Sequence, residues 1–559
     1  MKTRVRSLPA DVFGLSDVAR AGLSAGPDFG PVPVARRVAD VPRPEERLGS
    51  IERGVLVDSI ERGLAEAGVA LPPAARDALE ALRREGVSCV VTGQQPGLLT
   101  SPLYSLFKAL QACRAAEDLA RLWGVPVVPI FWNHADDHDV AEVHHAWQLN
   151  RNLDLQKVSL AGLASGRTPL GELRIDAEAQ RLDALRAQLR GIVEEHEGAD
   201  AALDLFLPRD GETLPRAMTR VFTELAGSRG LVVCEPDWIR PLLSSELGRI
   251  VSGGALVPAL DAGEAELAAL DLSPAIPVGR AAGDPDGAAA LVYRHVRSAP
   301  DAPSERIALR AGGEGFRLDG EPGSRTAAEL GSLVVGSPTD WSAGALVRPL
   351  VQDAVFPTCA YVGGLGELGY HAQLGPARDA IGQPRTPFLP RVSITLVDAD
   401  TRYALRRVES DVDEVVRAGG NFRPGADELE EPHVVVALRA VGEDAAQKLL
   451  EHRAELAELE PALAITLKKT ADHVKQSVGK VLDKAMRVHK NRVGKGARQV
   501  RRVNNTLVPR GEPQERVLGP FQFVARFGDE FVTALWDEMP SASIEHLVLH
   551  LEVDEEADA

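Results

Sequence analysis

The sequence predicts an α/β protein with a parallel sheet in its core and a long helical region near its C-terminal end. Three observations predict this class. A strand, a Gly-rich turn, a helix and a second strand follow one another between residues 88 and 132, two later apolar segments also end in polar loops, and an apolar repeat of helical period occupies residues 441–507. Strand, helix and strand in that order make the two strands parallel.

The composition is that of a globular protein. Of the 559 residues, 44% are hydrophobic and 26% are charged, and no apolar run reaches the roughly 18 to 20 residues that span a bilayer. The basic start Met1–Pro9 is not followed by a signal-peptide core, so we expect a cytoplasmic protein with no membrane partner. A net charge of −18 argues against a protein that coats nucleic acid. The four cysteines form no C-x-x-C pair, so neither a structural metal nor a disulfide framework is expected.

The first strand is predicted at Ser88–Thr92 because the segment S-C-V-V-T is short and apolar. The helix that follows is expected to begin at Ser101, a favoured N-cap, and to end at Gly124. Val125–Trp132 is apolar almost throughout, which is typical of a strand covered on both faces. Because parallel strands end at the same edge, the polar loops after these two strands should lie together, at the edge where open parallel sheets bind ligands.

Two later segments, Gly230–Asp237 and Pro357–Gln373, repeat the pattern of a strand that runs into a polar loop. Between the first unit and the last of these segments, helices alternate with a stretch from Pro274 to Ser337 that suggests a β-rich insertion. The predicted core therefore covers residues 1–395, with connecting segments inserted at about residues 150–340.

A helical coiled-coil domain is predicted at residues 396–507, and residues 508–559 are expected to return to the core. Pro461 and Gly479 leave open whether the long helix projects or folds back as a hairpin. Because an apolar seam needs a partner, we expect it to pair within a hairpin or, as we favour, in a homodimer. The seam consists of Leu456, Leu459, Leu463, Leu467, Val474, Val478, Val481, Ala485 and Val488.

The segment Lys468–Arg502 is basic, in contrast to the rest of the chain. A nucleic-acid face is one interpretation. No aromatic residues interleave these charges, so a solvated face that pairs with acidic Glu443–Glu460 is favoured, and nucleic acid is not an expected partner.

The turn after the first strand contains Thr92, Gly93, Gln94 and Gln95. Backbone N–H groups and the start of a helix at such a turn favour an anionic ligand, such as a phosphate or a carboxylate. A tight turn without a ligand is the alternative. Neither the Walker A spacing nor G-x-G-x-x-G is present.

The loop after the second strand contains Asp136, Asp137, His138 and Asp139. Crowded charges of this kind shift one another's pKa values, which favours substrate binding or acid/base chemistry. A cluster that caps the next helix is the alternative, since Asp is a favoured N-cap. A metal is less favoured because the zinc-binding pair of histidines four residues apart is absent.

Further candidates lie near the later strands. Arg348 can bind a carboxylate or phosphate through its planar guanidinium, although a salt bridge inside the fold is the alternative, and Asp353 follows it. Gly364 and Glu367 belong to a Gly-rich loop on the predicted edge. At another junction, a cation and a hydroxyl are supplied by Arg391 and Ser393.

Five segments in this order resemble the bacillithiol-biosynthesis cysteine-adding enzyme family (BshC): VVTGQQPGLLTSPLYSLFKA, VPVVPIFWNHADDHDVAEVHH, LVRPLVQDAVFPTCAYVGGLGELGYHAQL, PRVSITLVD and LVPRGEPQER. The resemblance implies a Rossmann-type core like that of class I aminoacyl-tRNA synthetases, with connecting insertions and a coiled-coil domain that mediates dimerisation. It also implies a ligase that joins the carboxyl group of cysteine to the amine of glucosaminyl-malate, in the last step of bacillithiol biosynthesis.

The sequence departs from the family pattern in two places. Asp136 stands where Glu is usual, and Leu365 and His371 stand where Pro and Trp are common, so we expect altered detail in the pocket. No HIGH or KMSKS signature is present, so the synthetase-like fold by itself does not establish adenylate chemistry.

The implied reaction assigns roles to the candidate residues. A carboxylate must be activated before it forms an amide in water, so ATP with Mg²⁺ is expected, through an acyl-adenylate or an acyl-phosphate. Asp137 and His138 are the catalytic candidates, which orient and deprotonate the attacking amine. The expected substrate-binding residues are Asp136, Asp139, Arg348, Asp353, Gly364 and Glu367, and the expected nucleotide-binding residues are Thr92, Gly93, Gln94, Gln95, Arg391 and Ser393. The rival hypotheses are an RNA-binding protein with a synthetase-like core and a non-catalytic dimeric scaffold.

Overall fold

The computed structural model describes residues 1–44, 51–163, 166–194, 196–278, 290–312, 315–319, 323–423, 432–492 and 496–552. The chain divides into two compact units, which we call the core unit, residues 1–398 and 512–559, and the helical unit, residues 399–511. Among the helices in these ranges, none is both long enough and apolar enough to cross a membrane.

The strands are β1 Thr3–Leu8, β2 Ser88–Gln94, β3 Val127–Asn133, β4 His145–Leu149, β5 Leu155–Ser159, β6 Val232–Cys234, β7 Ala290–Arg297, β8 Ser304–Gly312, β9 Gly315–Leu318, β10 Trp341–Ala343, β11 Thr358–Gly363, β12 Phe388–Pro390, β13 Ser393–Val397 and β14 His546–Leu551. The helices of the core unit are α1 Asp17–Ala25, α2 Arg53–Glu66, α3 Pro73–Ala81, α4 Tyr104–Trp123, α5 Val140–Val143, α6 Leu182–Val193, α7 Ala199–Phe206, α8 Leu214–Ala226, α9 Arg240–Ser252, α10 Leu256–Ala268, α11 Ala327–Gly336, α12 Arg348–Val355, α13 Leu365–His371, α14 Gly375–Ala380, α21 Gln514–Val517, α22 Phe521–Phe527 and α23 Asp529–Glu538. Those of the helical unit are α15 Ala399–Arg407, α16 Val412–Arg417, α17 His433–Glu451, α18 Arg453–Leu459, α19 Pro461–Arg492 and α20 Gly496–Leu507.

The central sheet of the core unit has the strand order β12-β11-β2-β3-β6, and every neighbouring pair is parallel. Helix α4 connects β2 to β3, so the predicted strand, helix and strand unit is confirmed. Successive residues of β3 enter different hydrophobic clusters, Ile130 in one and Phe131 in the other. Both faces of the sheet are therefore covered, which is why these strands are apolar throughout.

Two glycines at the end of β2 are required by close approach. A Cβ atom at Gly93 would lie 2.7 Å from the carbonyl oxygen of Trp132, and one at Gly97 would overlap the carbonyl oxygen of Ser101. The prediction that Ser101 caps the next helix is wrong, because α4 begins at Tyr104. The backbone N–H of Leu103 donates to the carbonyl of Leu518 at 2.7 Å, so a contact distant in sequence holds the chain where it enters the helix.

The connecting segments add smaller sheets. Strands β10, β7, β8 and β9 form an antiparallel sheet in that order, and β4 pairs with β5. The predicted β-rich stretch Pro274–Ser337 is confirmed by β7, β8 and β9; residues 279–289 of that stretch lie outside the described residues, and β10 lies beyond its predicted end. A third sheet has the order β1-β14-β13, in which β14 pairs antiparallel with β1 and parallel with β13.

In the helical unit, α17 folds back on α19 as a hairpin. A Cβ atom at Gly442 would come within 2.8 Å of Val478, so the absence of a side chain there lets the helices approach closely. The predicted seam is partly wrong, because Leu459 is 78% and Val481 is 56% exposed. The buried positions include Val435 and Leu482, and also small residues that a pattern of Leu and Val passes over, namely Gly442, Ala446, Ala464 and Ala471.

Candidate active site

Two adjoining pockets open at the carboxyl edge of the central sheet. We call the first the aromatic pocket; it has a volume of about 210 Å³, and its lining includes Trp132, Tyr293, Trp341, Tyr370, Arg240, Arg306 and Arg348. We call the second the amide pocket; it has a volume of about 350 Å³, and its lining includes Gly93, Gln94, Gln95, Tyr104, Lys108, Gly364, Glu367, Arg391 and Arg516. Both pockets are lined by His134, Asp137, Ala345 and Tyr370.

A buried ion pair forms the floor of the amide pocket. The ammonium of Lys108 contacts the carboxylate of Glu367 and donates to the Gly93 carbonyl at 2.8 Å. Glu367 also accepts hydrogen bonds from the Tyr361 hydroxyl at 2.8 Å and the Gly364 N–H at 2.7 Å. Burial lowers the pKa of Lys108, and Glu367 opposes that shift. Burial raises the pKa of Glu367, but Lys108 and the hydrogen bonds outweigh it and bring the net pKa below its usual value.

Two glutamine amides connect the loops of neighbouring strands. Gln94 donates to the Tyr104 hydroxyl at 3.1 Å, and its carbonyl oxygen accepts from Lys108 at 3.1 Å. Gln95 donates to Asp137 Oδ2 at 2.5 Å and to Glu142 Oε2 at 2.8 Å. The prediction that the loops after β2 and β3 lie together is therefore confirmed.

The four residues of the loop after β3 have four different environments. Asp136 is paired with the fork of Arg240; burial raises its pKa, but Arg240 outweighs this and the pKa falls to about 2. Asp137 Oδ1 accepts the N–H of His138 at 2.7 Å, while its other oxygen faces the amide pocket. Asp139 caps α5, since its carboxylate accepts the N–H of Glu142 at 3.2 Å.

The environment of His138 determines its tautomer. Its Nδ1 lies 3.1 Å from Arg306 Nη1, and a guanidinium can only donate, so Nδ1 accepts and the ring proton lies on Nε2. Burial and then the charge of Arg306 lower the pKa of His138. The imidazole is therefore neutral near pH 7.

The aromatic pocket contains two buried arginines that form no ion pair with a carboxylate among the described residues. Arg306 lies 3.8 Å over the Tyr293 ring and donates to His138, while Arg348 donates to Gln352 Oε1 at 2.8 Å and to the Tyr370 hydroxyl at 3.1 Å. In the part of the chain that the structure describes, neither guanidinium has a carboxylate within 4.0 Å. Burial lowers the pKa of Arg306.

His134 lies at the boundary of the two pockets. Its backbone N–H donates to the Gln94 carbonyl at 3.1 Å, and its buried Nε2 has no hydrogen-bond partner among the described residues. Burial, followed by the charges of Arg348 and Lys108, lowers its pKa well below the usual value. This arrangement presents a neutral imidazole at the boundary.

The structure separates several predicted site residues from the cleft. Thr92 is buried and donates its hydroxyl to the Val362 carbonyl at 2.8 Å. Asp353 is buried with Arg378 at 2.7 Å. Ser393 lies at 2.9 Å from Glu515 and lines a neighbouring pocket of about 290 Å³. The predicted residues that line the cleft are Gly93, Gln94, Gln95, Asp136, Asp137, His138, Arg348, Gly364, Glu367 and Arg391.

Sequence reasoning missed the basic residues of the lining: Lys108, His134, Arg240, Arg306 and Arg516. Lys108 carries a local signal, because it is a cation within the apolar face of a predicted helix, S-L-F-K-A-L. His134 lies in the polar loop after the second strand, and Arg516 lies in the segment LVPRGEPQER that contributes to the family resemblance. Within the described ranges, no three His, Cys, Asp or Glu side chains form a group that could hold a metal ion.

Comparisons with known proteins agree with this architecture. The family model for the bacillithiol biosynthesis BshC N-terminal Rossmann-like domain matches residues 40–392, and that for the BshC C-terminal coiled-coil domain matches residues 395–551. A protein of Koribacter versatilis named "Putative cysteine ligase BshC" is 27% identical over 86% of each chain. A protein of the same name from Oceanobacillus iheyensis is 24% identical over 86% of this chain and 88% of its own. Another from Symbiobacterium thermophilum is 27% identical over 82% of this chain and 83% of its own. This chain belongs to the bacillithiol biosynthesis BshC family.

Proposed function

We propose that this protein is a ligase that forms an amide between the carboxyl group of cysteine and the amine of glucosaminyl-malate, with magnesium-bound ATP as co-substrate. The observation that carries the proposal is the aromatic pocket, which combines ring faces with two buried arginines that lack a carboxylate partner. The names of the relatives support the cysteine half of the reaction.

The aromatic pocket suits an anionic sugar. Aromatic faces pack against the apolar faces of a sugar ring, and the walls here include Trp132, Trp341 and Tyr293. A guanidinium binds a carboxylate through two parallel hydrogen bonds, and Arg306 and Arg348 each still lack such a partner. We therefore assign the malate carboxylates to these two arginines.

The amide pocket is left for cysteine and the nucleotide. Gly93 lines this pocket at a point where a side chain would clash with Trp132, and the amides of Gln94 and Gln95 supply donors and acceptors. Activation of the cysteine carboxyl group would take place in this pocket. The amine of the acceptor would then attack across the boundary at His134 and Asp137.

Asp137 and His138 are assigned to the attacking amine. The Asp137 carboxylate lines both pockets, so it can accept a proton of the ammonium and orient it. His138 can accept a proton on Nδ1 only after Arg306 has turned away from it. If a carboxylate of the acceptor binds Arg306, the guanidinium no longer donates to Nδ1 of His138, and this nitrogen becomes free to accept a proton. Binding of the acceptor would therefore activate the base.

The test is direct formation of the conjugate. Purified protein is incubated with cysteine, glucosaminyl-malate, ATP and magnesium, each component is omitted in turn, and the amide product is followed by mass spectrometry. Asp137→Asn and His138→Ala should lower turnover by on the order of a hundredfold or more. Asp139→Asn is the matched control, because Asp139 caps α5 and lines neither pocket, and it should retain turnover.

Two outcomes would contradict the proposal. Absence of the conjugate with every nucleotide would exclude the reaction. Full turnover in folded Asp137→Asn and His138→Ala would exclude the assigned roles while leaving the reaction in place.

We further propose that the helical unit forms a homodimer. Exposed apolar side chains on α17, α18 and α19 support this, because an isolated helical hairpin gains nothing from them in water. They include Val434, Val441, Leu459, Ile465 and Val481, which are 58%, 61%, 78%, 58% and 56% exposed. Light scattering at micromolar concentration should give twice the chain mass; a monomer, or an assembly that survives Leu459→Glu with Val481→Glu, would contradict this interface.

A further inference from the structure

The short segment Pro513–Arg516, which follows the helical unit in sequence, is fixed to the core unit on two sides. Gln514 is fully buried and forms a pair of hydrogen bonds with the backbone of Leu396, accepting its N–H at 2.7 Å and donating to its carbonyl at 2.9 Å. Glu515 is buried too, and accepts from Arg391 at 2.5 Å and from the Ile394 N–H at 2.8 Å.

The residues after this segment are equally constrained. The carbonyl of Leu518 accepts the N–H of Leu103 at 2.7 Å, at the point where the chain enters α4. A side chain at Gly519 would overlap the hydroxyl of Ser101. The backbone on either side of Arg516 is therefore held by contacts with β13 and with the start of α4.

Arg516 is the exposed residue in this constrained stretch. Its side chain lines the amide pocket and two neighbouring pockets, which are lined also by Ser393 and by His145 respectively. Its charge acts on the Tyr104 hydroxyl, which belongs to the amide pocket. No side-chain partner of Arg516 is found among the residues that the structure describes.

The other cations of the amide pocket already have anionic partners. Lys108 contacts Glu367, and Arg391 contacts Glu515. Among the described residues that line this pocket, Arg516 is the cation without a carboxylate partner. A guanidinium on a fixed backbone, beside a pocket whose other cations are neutralised, can bind the anionic group of a ligand with little loss of conformational freedom.

We propose that Arg516 binds an oxyanion group, a phosphate or a carboxylate, of the ligand in the amide pocket, so that the segment after the helical unit completes this site. The proposal rests on the proposed function only for the identity of the ligands that are tested. It gives a role to the segment LVPRGEPQER, whose buried residues Gln514 and Glu515 position the arginine.

The experiment measures binding separately from turnover. Calorimetric titrations of the full-length protein use four probes: ATP with magnesium, inorganic tripolyphosphate, cysteine and glucosaminyl-malate. Hydrogen bonds to charged groups contribute enough free energy that Arg516→Ala should weaken the binding of at least one probe by roughly 10- to 100-fold. Arg516→Lys should restore part of this affinity, because it keeps the charge but loses the planar fork.

The control is Arg209→Ala, an exposed arginine that lines neither pocket of the cleft, which should leave all affinities unchanged. The melting temperature of Arg516→Ala should equal that of the parent protein, since the side chain is exposed and unpartnered. Weaker binding of ATP and tripolyphosphate identifies a phosphate, and weaker binding of cysteine or glucosaminyl-malate alone identifies a carboxylate; both support the proposal.

Equal affinity of Arg516→Ala and the parent protein for all four probes would overturn it, as would a parent protein that binds none of them. A protein that binds the probes but forms no conjugate would contradict the ligase reaction and still decide the role of Arg516.

Discussion

The two pockets of the cleft differ in how their buried cations are compensated. In the amide pocket, Lys108 and Arg391 are each in contact with a buried carboxylate of the protein. In the aromatic pocket, only Arg240 among the three buried arginines is paired with a described carboxylate, that of Asp136, whereas Arg306 and Arg348 donate to neutral groups. A buried cation without an anion is unfavourable, whereas one with a hydrogen-bonded partner is largely compensated.

This difference separates residues that maintain the pocket from residues that await a ligand. The paired cations connect neighbouring elements: Lys108 joins the end of β2 to the first turn of α13 through Gly93 and Glu367. Burial disfavours the charge of both unpaired arginines, and an anionic ligand would relieve this effect. The net pKa of Arg306 is lowered, whereas the neighbouring tyrosines and Glu367 keep the pKa of Arg348 above its usual value. Substitutions of the buried cations should therefore affect stability most in the amide pocket and affinity most in the aromatic pocket.

The largest expected effect is on stability in the amide pocket. Glu367→Gln leaves the ammonium of Lys108 buried without its anion, and breaking a buried pair in this way is expected to lower the free energy of unfolding by about 3–5 kcal/mol. Urea unfolding monitored by circular dichroism measures the change. The double variant Lys108→Met with Glu367→Gln should recover part of the loss. A single variant within 1 kcal/mol of the parent protein, by the same rule for buried pairs, would show that the pair does not hold the pocket.

The next effect is on affinity in the aromatic pocket. Arg348→Ala should weaken the binding of glucosaminyl-malate by about 2–5 kcal/mol, roughly 30-fold or more, because the acceptor carboxylate loses its guanidinium. Its free energy of unfolding should change much less, since the cation that is removed has no carboxylate partner. Arg348→Lys keeps the charge, so its affinity for glucosaminyl-malate should lie between those of the parent protein and Arg348→Ala. Unchanged affinity in the Ala variant would remove Arg348 from the acceptor site.

A smaller effect concerns pH and two buried histidines, one beside the aromatic pocket and one in the pocket that neighbours the cleft. His295 contacts Ser342 of the aromatic pocket, and His546 contacts Ser393; burial, as the main cause, lowers their pKa values to about 3 and about 4. The unfolded chain binds protons on these residues below about pH 6.5 and the folded chain does not, so stability is lost as the pH falls from 6.5 toward the folded pKa. Between pH 7 and pH 5 each histidine should contribute on the order of 2 kcal/mol of this loss.

Unfolding by urea at the two pH values checks this expectation. The variant His546→Asn should lose the share of the pH dependence that belongs to one histidine, while the share of His295 remains. A parent protein with equal stability at pH 5 and pH 7 would show that these imidazoles are not held neutral by burial.

The sequence predicted which loops form much of the cleft, because the loops after neighbouring parallel strands meet at one edge of the sheet. The apolar runs identified β2 and β3, and the contact between Gln95 and Asp137 is the direct result. The sequence identified the Asp136–Asp139 loop as a cluster and offered a helix cap as the alternative, which Asp139 provides, but the salt bridge of Asp136 depends on Arg240. That partner lies more than a hundred residues away in the chain, and no local pattern announces it.

Arg306, a lining residue that the sequence did not predict, also depends on contacts that are distant in sequence. Arg306 reaches the cleft because the inserted sheet lies beside the edge of the central sheet, a packing arrangement that strand periodicity does not specify. The buried face of the helical hairpin also depends on packing between helices. The helices approach closely at Gly442, so small residues such as Ala464 and Ala471 are buried, while larger residues of the predicted seam are exposed. Periodicity identifies a helix, and the neighbouring surface decides which face is buried.

The smallest expected effect tests whether either pocket depends on a thiol of the protein. Cys89, Cys113, Cys234 and Cys359 are all buried, and none of them lines the aromatic or the amide pocket. Burial raises the pKa of Cys113 and of Cys359 to about 12, so their reactive thiolate forms are scarce near pH 7. Cys113→Ala and Cys234→Ala should therefore retain turnover within about twofold and lose only packing stability. Arg348→Ala, assayed in parallel, confirms that the assay detects damage to the cleft. Loss of turnover in a folded cysteine variant would instead point to a covalent thioester route, and mass spectrometry of the intact protein mixed with cysteine and ATP would then reveal the adduct.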